Sequence, residues 1–204
     1  MILKLLLLFS IKVNSFTSKK KVAIVTGGTR GIGKSISEVM AKNNYDLLIN
    51  YNNDVNNAIK TATFLKDEYK CNIHLISGDI SSIKTRNKIF ECFDNKYKSS
   101  ELGAIIHNAG QFIGITSSNE KGLVADFGKN SDSIINENGN PDFEIAHYYQ
   151  RMYGDAFMDL CERGASRMGK TGGSLIGISS PGCTLQYKPQ PGYFLPGSGK
   201  CIME

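Results

Sequence analysis

The stretch Lys21-Val-Ala-Ile-Val-Thr-Gly-Gly-Thr-Arg-Gly-Ile-Gly33 decides the fold of this chain. Val22 to Val25 form a short apolar run, which is typical of a buried parallel strand. The run ends in a glycine-rich turn, and apolar residues then recur at helical spacing from Ile32 to Met40. In α/β proteins this order forms a phosphate cradle, because glycines let the backbone approach a pyrophosphate and the helix N-terminus offers free N–H groups. The stretch therefore predicts a nucleotide-binding α/β domain.

The rest of the chain alternates strand-like apolar runs with amphipathic stretches, as a doubly wound parallel sheet requires. The patterns predict four further strands, at residues 46–51, 72–76, 102–106 and 174–178. They also predict helices over residues 56–70, 81–97 and 148–168, and another that begins near Pro196. The sequence thus predicts a Rossmann-type α/β fold in a single domain over residues 21–204.

Composition and charge exclude some partners. The chain has 204 residues, of which 41% are hydrophobic and 21% charged, an ordinary globular composition. Its net charge of +5 comes from five lysines within the first 21 residues, where there is no acidic residue. The remaining 19 basic residues balance the 19 acidic ones, so nothing indicates nucleic acid as a partner.

The N-terminal residues 1–20 differ from the rest and are predicted to be a leader. The apolar run Leu5–Ile11 lies at the short limit for a signal peptide and is too short to span a membrane, so no stable membrane insertion is expected. Small residues at Val13-Asn-Ser15 suit a cleavage site. The alternative is an unstructured leader without a targeting role.

The five cysteines are odd in number and scattered: Cys71, Cys92, Cys161, Cys183 and Cys201. They form no C-x-x-C pair and no cluster with histidine, so neither a disulfide framework nor a metal site is predicted. Reduced, buried cysteines are the expectation, which fits a reducing compartment.

Three motifs resemble the short-chain dehydrogenase/reductase family. The first is the glycine spacing Thr26-Gly-x-x-x-Gly31-x-Gly33, and the second is Asn108-Ala-Gly110 after the fourth predicted strand. The third is Ser180 after the fifth strand, followed by Tyr193 and Lys200. The resemblance covers residues 20 to 204. It implies an oxidoreductase that transfers a hydride to or from a nicotinamide cofactor.

The resemblance also implies the residues that bind the cofactor. They lie in the glycine loop, at the ends of the second, third and fourth strands and in the third motif: Thr26, Gly27, Thr29, Arg30, Gly31, Ile32, Gly33, Asn50, Asp79, Ile80, Asn108, Ala109, Gly110, Tyr193 and Lys200. Strand two ends in Asn50-Tyr-Asn-Asn53 without the acidic residue that would select NAD, and Asp54 follows several residues too late. Because guanidinium binds phosphate in a bidentate manner, Arg30 favours NADP(H).

Two of the polar residues near these strand ends have a structural alternative. Asp79 matches the position at which the family contacts adenine, but an Asp also caps helices well. His107 is expected to be packed at the end of strand four rather than catalytic.

The catalytic residues implied by the resemblance are Ser180, Tyr193 and Lys200. A Tyr phenol has a pKa of about 10, so it needs a nearby cation such as Lys200 to act as an acid or base at neutral pH. Two helical turns would separate Tyr193 from Lys200 by roughly 10 Å on one continuous helix. We therefore expect the helix to start after Tyr193, with Pro196 in its first turn. Tyr187 is the alternative phenol.

The Tyr-x6-Lys spacing resembles enoyl-acyl-carrier-protein reductases, whereas the glycine loop is the family's common one. The chain also resembles a divergent 3-oxoacyl-acyl-carrier-protein reductase. Ketoreductases of the family carry an Asn in the fourth helix, where this chain offers Tyr153-Gly-Asp155. The expected substrate is a small-molecule acyl thioester of fatty-acid synthesis, either free or on an acyl carrier protein, with a homo-oligomer as the full-length state.

The two ends and one internal segment carry further expectations. The chain stops four residues after Lys200, before the last strands and helices of the family, which predicts a C-terminal truncation. A non-catalytic nucleotide-binding remnant is therefore the alternative function. The leader resembles those of plastid proteins, with the cytoplasm as the alternative location. The polar segment 111–143 is either a surface insertion or a lid or carrier-docking loop.

Overall fold

The fold is an open, entirely parallel five-stranded sheet with helices on both faces. A computed structural model describes residues 20–110, 134–135, 138–180 and 194–204. The strands are β1 (Lys21–Thr26), β2 (Asp46–Tyr51), β3 (Ile73–Ser77), β4 (Glu101–His107) and β5 (Ser174–Gly177). Their order across the sheet is β3-β2-β1-β4-β5. The order reverses beside β1, and the crevice at such a switch point is where open α/β sheets bind ligands. The predicted doubly wound fold is confirmed.

The helices lie close to their predicted positions, with one exception. They are α1 (Gly31–Lys42), α2 (Val55–Tyr69), α3 (Ile83–Lys96), α4 (Glu144–Gln150), α5 (Ala156–Ala165) and α6 (Phe194–Met203). The described part of α6 begins at Phe194 and Tyr193 lies outside the described residues, so the expectation that this helix starts after Tyr193 stays a prediction. Pro196 then lies in its first turn, where the missing N–H costs no helical hydrogen bond.

The exception is the helix predicted over residues 148–168, which begins earlier and is not uniform. The helical path runs from Glu144, and a π-helical turn, Arg151–Asp155, separates α4 from α5. In that turn the Ala156 N–H donates to the Arg151 carbonyl, a step one residue longer than in an α-helix. Periodicity did not predict this turn, because tertiary packing determines where the extra residue is accommodated. The turn carries Tyr153.

Two apolar clusters, one on each face of the sheet, form the core. In β1 the side chains alternate: Val22 and Ile24 belong to the cluster beneath α3, α4, α5 and α6, whereas Ala23 and Val25 belong to the cluster beneath α1 and α2. All four side chains are fully buried. A parallel strand buried on both faces is an uninterrupted apolar run, as the opening stretch of the sequence predicts.

The residues of the first helix that are buried most completely are small, although Ile36 and Met40 also pack, partly buried, against the core. The buried positions of the helix are Gly33, Ser37 and Ala41, whereas Ile32 and Val39 are more than half exposed. Small side chains allow the helix to approach the carboxyl end of β1 closely. The backbone of the loop is thereby held beneath the helix N-terminus.

Several other predictions concern the edges of the domain. Lys20, the last residue of the predicted leader, forms a 2.7 Å ion pair with Asp46 of β2, whereas residues 1–19 lie outside the described residues. Most of segment 111–143 also lies outside them. Within the described residues no two of the four cysteines form a disulfide; Cys71 is buried, but Cys201 is exposed, contrary to expectation. Among the described helices none has the length and apolarity needed to cross a bilayer.

Candidate functional site

A cavity of about 400 Å³ opens at the carboxyl ends of the central strands. Every predicted cofactor-binding residue between Gly27 and Gly110 lines this cavity. Its walls come from the loops after β1, β2, β3 and β4 and from the π-helical turn: Gly27, Thr29, Arg30, Gly31, Ile32, Gly33, Asn50, Tyr51, Asn52, Asn53, Asp54, Gly78, Asp79, Ile80, Asn108, Ala109, Gly110 and Met152.

The glycine loop forms one wall of this cavity and directs its backbone towards it. Gly27 and Gly31 have positive φ angles of 63° and 51°, which only glycine adopts at little cost. A Cβ on Gly31 would meet no atom within 4 Å, so this residue faces open space. A Cβ on Gly33 would instead overlap the Gly27 carbonyl oxygen. The loop is therefore closely packed at Gly33 and open towards the cavity at Gly31. On the open side, the N-terminus of α1 attracts anions.

Arg30 precedes α1 and is the cationic residue of the cavity wall. It has extended backbone angles and an exposed side chain, and within the described residues it forms no ion pair. Asp54 lies in the same wall and caps α2 by accepting from the Asn57 N–H at 3.1 Å. Its hydrogen bonds from Asn57, and to a smaller extent the charge of Arg30, lower the pKa of the Asp54 carboxyl. In the sequence Asp54 comes several residues too late to be the acidic residue that selects NAD, yet it lines the same cavity as Arg30.

Asn50 lies at the end of β2, but its side chain has a structural task. It is buried, and its amide nitrogen donates to the Ile76 carbonyl at 3.1 Å and the Gly78 carbonyl at 2.9 Å. These bonds join the end of β2 to the loop after β3. Asn50 therefore shapes the cavity wall, and its amide donors point to the neighbouring strand rather than to a ligand.

Asp79 links two parts of the cavity. Its Oδ1 accepts from the Ser81 N–H at 2.8 Å, and its Oδ2 accepts from the Tyr148 hydroxyl at 3.1 Å. The cap residue of α3 is Ser82, so Asp79 stabilises the turn before the helix instead of capping the helix itself. Burial, followed by the charge of Asp79, raises the pKa of Tyr148. The carboxylate thus holds α4 against the loop after β3.

A buried hydrogen-bond network beneath the cavity contains Thr26 and His107. His107 Nε2 lies 2.9 Å from the Met152 carbonyl, which can only accept, so Nε2 carries the proton. Nδ1 therefore accepts from the Thr26 hydroxyl at 2.9 Å. The Thr26 oxygen in turn accepts from the N–H groups of Asn108 and Ala109 at 3.1 and 2.9 Å. Thr26 is fully buried and does not line the cavity, contrary to the prediction of a direct contact with the cofactor.

His107 is packed at the strand end, as predicted, and is neutral. Burial lowers its pKa to about 4, and both ring nitrogens have partners. Such a histidine has a structural role and does not act as an acid or base near neutral pH. Met152 also lines the cavity, so the hydrogen bonds of His107 to Thr26 and Met152 fix the π-helical turn relative to β1 and β4.

The predicted catalytic residues lie at or beyond the edge of the described structure. Lys200 of α6 donates from Nζ to the Ile178 carbonyl at 3.2 Å, close to Ser180 in the same segment. The Ser179 hydroxyl donates to the carboxylate of Glu204, which also ties α6 to this segment. Tyr193 and the alternative Tyr187 lie outside the described residues. Lys200 does not appear among the described cavity-lining residues.

Sequence reasoning missed six cavity residues: Tyr51, Asn52, Asn53, Asp54, Gly78 and Met152. For five of them, all except Met152, the position in the sequence gave a signal: Tyr51 ends β2, the other four follow β2 or β3, and the carboxyl ends of strands line this crevice. Met152 gave no signal, because the π-helical turn brings it to the cavity from another part of the chain. Within the described residues no group of three or more His, Cys, Asp or Glu could hold a metal ion.

A comparison with protein families matches residues 21–194 to the family described as short chain dehydrogenase. Among curated proteins, the uncharacterized oxidoreductase YmfI of Bacillus subtilis is 33% identical over 91 residues, which cover 45% of this chain and 36% of that protein. The matched segment is thus about a third of that relative's length.

Solved structures show the same fold. YwfH, an NADPH-dependent reductase involved in bacilysin biosynthesis, has a TM-score of 0.68 at 21% identity, over 90% of this chain and 67% of that one. The L-sorbose reductase of Gluconobacter frateurii, solved in complex with NADPH and L-sorbose, has a TM-score of 0.65 at 18% identity, over 91% of this chain and 60% of that one.

Proposed function

The chain belongs to the short-chain dehydrogenase family, and on that premise we propose that it is an oxidoreductase that binds NADP(H) in the cavity. One observation carries the proposal: the glycine loop, Arg30, Asp79 and the Asn108–Gly110 segment surround one crevice at the switch point of the sheet. Family membership and the NADPH-dependent or NADPH-bound structural neighbours support this cofactor.

The residues present fit a dinucleotide. The backbone of the glycine loop faces open space at Gly31, beside the N-terminus of α1, so a pyrophosphate can approach the free N–H groups. The first turn of α1 contains no acidic residue that would repel it. Asp79, Ile80, Asn108 and Ala109 also line the cavity, and the adenosine half would lie against them.

Arg30 is the residue that would select the phosphorylated cofactor. Arg30 lines the cavity together with the segment Tyr51–Asp54, which forms the end of β2 and the residues after it. A 2′-phosphate there would gain bidentate hydrogen bonds from the guanidinium. Asp54 would oppose it, because its carboxylate is in the same wall.

The reaction we propose is reduction of a carbonyl or enoyl group of an acyl thioester. NADPH, when bound, supplies the hydride. The Ser180 hydroxyl would donate to the substrate oxygen, and Tyr193 would protonate or stabilise the developing oxyanion. The Lys200 ammonium would lower the pKa of the Tyr193 phenol and hold the nicotinamide ribose. Its bond to the Ile178 carbonyl supports this role, because it keeps the ammonium beside the Ser180 segment.

The finer parts of the proposal are the substrate class and the cellular setting. The spacing of Tyr193 and Lys200 supports a 3-oxoacyl or enoyl thioester, either free or on an acyl carrier protein, and fatty-acid synthesis as the setting. The helix also has Arg151-Met-Tyr-Gly-Asp155 where ketoreductases carry Asn, which favours the enoyl substrate. Plastid targeting through residues 1–20 and a homo-oligomeric state stay predictions.

The test is an NADPH oxidation assay with acetoacetyl and crotonyl thioesters. We expect turnover of at least one substrate, with a loss of at least about 100-fold in kcat for Tyr193→Phe and unchanged NADPH affinity. Tyr187→Phe is the matched control, and it should retain activity. NADPH binding without turnover of either thioester would instead favour a non-catalytic nucleotide-binding protein. Full activity of Tyr193→Phe would contradict the assignment of the phenol.

A further inference from the structure

Tyr153 lies between the cavity wall and Lys200. Its side chain is 3% exposed, and it belongs to the π-helical turn. Its hydroxyl lies against Gly110 of the cavity wall, since a Cβ on Gly110 would be 3.0 Å from the hydroxyl oxygen. On its other side, the Lys200 Nζ is 5.1 Å from the centroid of the Tyr153 ring. One aromatic ring thus contacts both the cavity wall and the lysine.

The packing around the ring fixes its orientation. Tyr149, one turn earlier and fully buried, lies parallel to Tyr153, with an interplanar angle of 3° and 6.1 Å between ring centroids. From the facing helix, Gly199 approaches so closely that a Cβ there would be 3.0 Å from Tyr153 Cδ2. The ring has little room to rotate, so its face is a fixed surface for the ammonium.

Within the described part of the chain, two groups contact the Lys200 ammonium and restrict its position. The Ile178 carbonyl accepts from it at 3.2 Å, and the ring face of Tyr153 attracts it. An ammonium within about 6 Å of a ring centroid is drawn to the negative potential of the ring face, more strongly where water is excluded. The hydrogen bond to the carbonyl alone would leave the four-carbon side chain of Lys200 several conformations. Contact with the ring face of Tyr153 excludes some of them.

We propose that Tyr153 is a positioning residue for Lys200, whose ammonium its ring face holds at the nicotinamide end of the cavity. The proposal rests on the proposed function in one respect, namely that Lys200 contacts the nicotinamide half of NADP(H). The contact between ring and ammonium stands on geometry alone. The two claims can therefore be tested separately.

The contact is tested first by NMR of the whole protein with ¹³C-labelled lysine. A methylene group above an aromatic ring is shifted upfield, so the Lys200 ε-CH₂ signal, assigned by its loss in Lys200→Arg, should lie upfield of ordinary lysines. We expect Tyr153→Phe to retain the shift and Tyr153→Leu to abolish it. An ordinary shift in the wild type, or an unchanged one in Tyr153→Leu, would overturn the proposal whether or not the protein turns over a substrate.

The consequence for binding is tested with Phe, 4-fluoro-, 3,5-difluoro- and 3,4,5-trifluorophenylalanine at position 153. Fluorine withdraws negative potential from the ring face with little change in shape. We expect the NADPH affinity to fall stepwise, about tenfold over the series. The affinity for adenosine 2′,5′-bisphosphate, which lacks the nicotinamide half, should stay constant.

Other results of the NADPH-binding series would overturn either the role of Tyr153 or the proposed function. Equal NADPH affinities across the series would overturn the proposal, because the ring face would then contribute nothing. A parallel loss for both ligands would overturn it too, since the substitutions would then act on the fold. If NADPH does not bind the wild type at all, the proposed function fails, and the NMR measurement still decides whether Tyr153 positions Lys200.

Discussion

The two ends of the cavity are built in different ways. At the glycine-loop end, neighbouring residues in the chain form the wall: Gly27 to Gly33 alone provide six of the residues that line it. At the other end, Met152 comes from the π-helical turn and Gly110 from the segment after β4, and Lys200 of α6 is linked to Gly110 through Tyr153. The first end depends on local backbone conformation, and the second depends on how distant helices pack.

This difference determines what a sequence motif can specify. A glycine with positive φ or no room for a Cβ is a local requirement, so it appears in the sequence as a fixed spacing. The position of the Lys200 ammonium depends on Tyr153 and Ile178, which are separated from it along the chain. Such an arrangement has no local signature. The comparison predicts that substitutions at the two ends should fail for different reasons.

The largest effect is expected at Gly33. Gly33→Ala places a methyl group against the Gly27 carbonyl oxygen, which as backbone cannot move aside cheaply. We expect a loss of about 3 kcal/mol in the free energy of unfolding, measured by urea denaturation, together with loss of NADPH binding.

Gly31→Ala is the matched control within the same loop. It meets no atom within 4 Å, and only its φ of 51° is unfavourable for alanine. The expected cost is about 1 kcal/mol. If Gly33→Ala were no more destabilising than Gly31→Ala, close packing behind the loop would not be the reason for glycine at position 33.

His107 should make the stability of the fold depend on pH. Its pKa is about 4 in the folded protein, below the ordinary value of 6.5, so the unfolded chain binds the proton first as the pH falls. The stabilisation is complete above about pH 7 and is lost as the pH falls from about 6.5 to 4, by about 3 kcal/mol in all. Urea unfolding at pH 7.5 and 4.5 measures the loss.

His107→Gln isolates this contribution. Gln can still donate to the Met152 carbonyl, but it does not titrate. Burial also lowers the pKa of His74, which contributes with the same sign and stays in both proteins. We expect the difference in stability between the two pH values to shrink by more than half in His107→Gln. An unchanged difference would mean that His107 is not buried in its neutral form in the folded protein.

The sequence predicted the strands and the glycine loop well because burial on both faces leaves an uninterrupted apolar run, as in β1. It did not predict the small-residue face of α1, because Ile32 and Val39 have the spacing of a buried stripe but lie in the exposed part of the helix. It also missed Met152, since nothing in the local sequence marks the π-helical turn. Thr26 and Asn50 lie at the strand ends where the sequence predicted them, but their side chains form hydrogen bonds within the protein, to His107 and to the Gly78 carbonyl.

Arg30→Ala should separate the two cofactors. We expect the NADPH affinity to fall by about tenfold or more, because the guanidinium would no longer pair with the 2′-phosphate, while the NADH affinity should change by less than about threefold. Fluorescence titration with each nucleotide measures both. Equal losses would indicate that Arg30 contacts the pyrophosphate or stabilises the loop.

Asp54→Asn should have the smallest effect and the opposite sign. Asn caps a helix as well as Asp, so α2 should be preserved, while the negative charge is removed from the wall that contains Arg30. We expect NADPH to bind about threefold more tightly and NADH to bind with unchanged affinity. A weaker NADPH affinity would show that Asp54 supports the site.

The most direct measurement is the dissociation constant of the wild-type protein for NADPH and for NADH, from the fluorescence of the reduced nicotinamide. A cavity with Arg30 in its wall and no acidic residue in the first turn of α1 predicts that NADPH binds at least about tenfold more tightly than NADH. Tighter binding of NADH, or no binding of either nucleotide, would contradict the assignment of this cavity as an NADP(H) site.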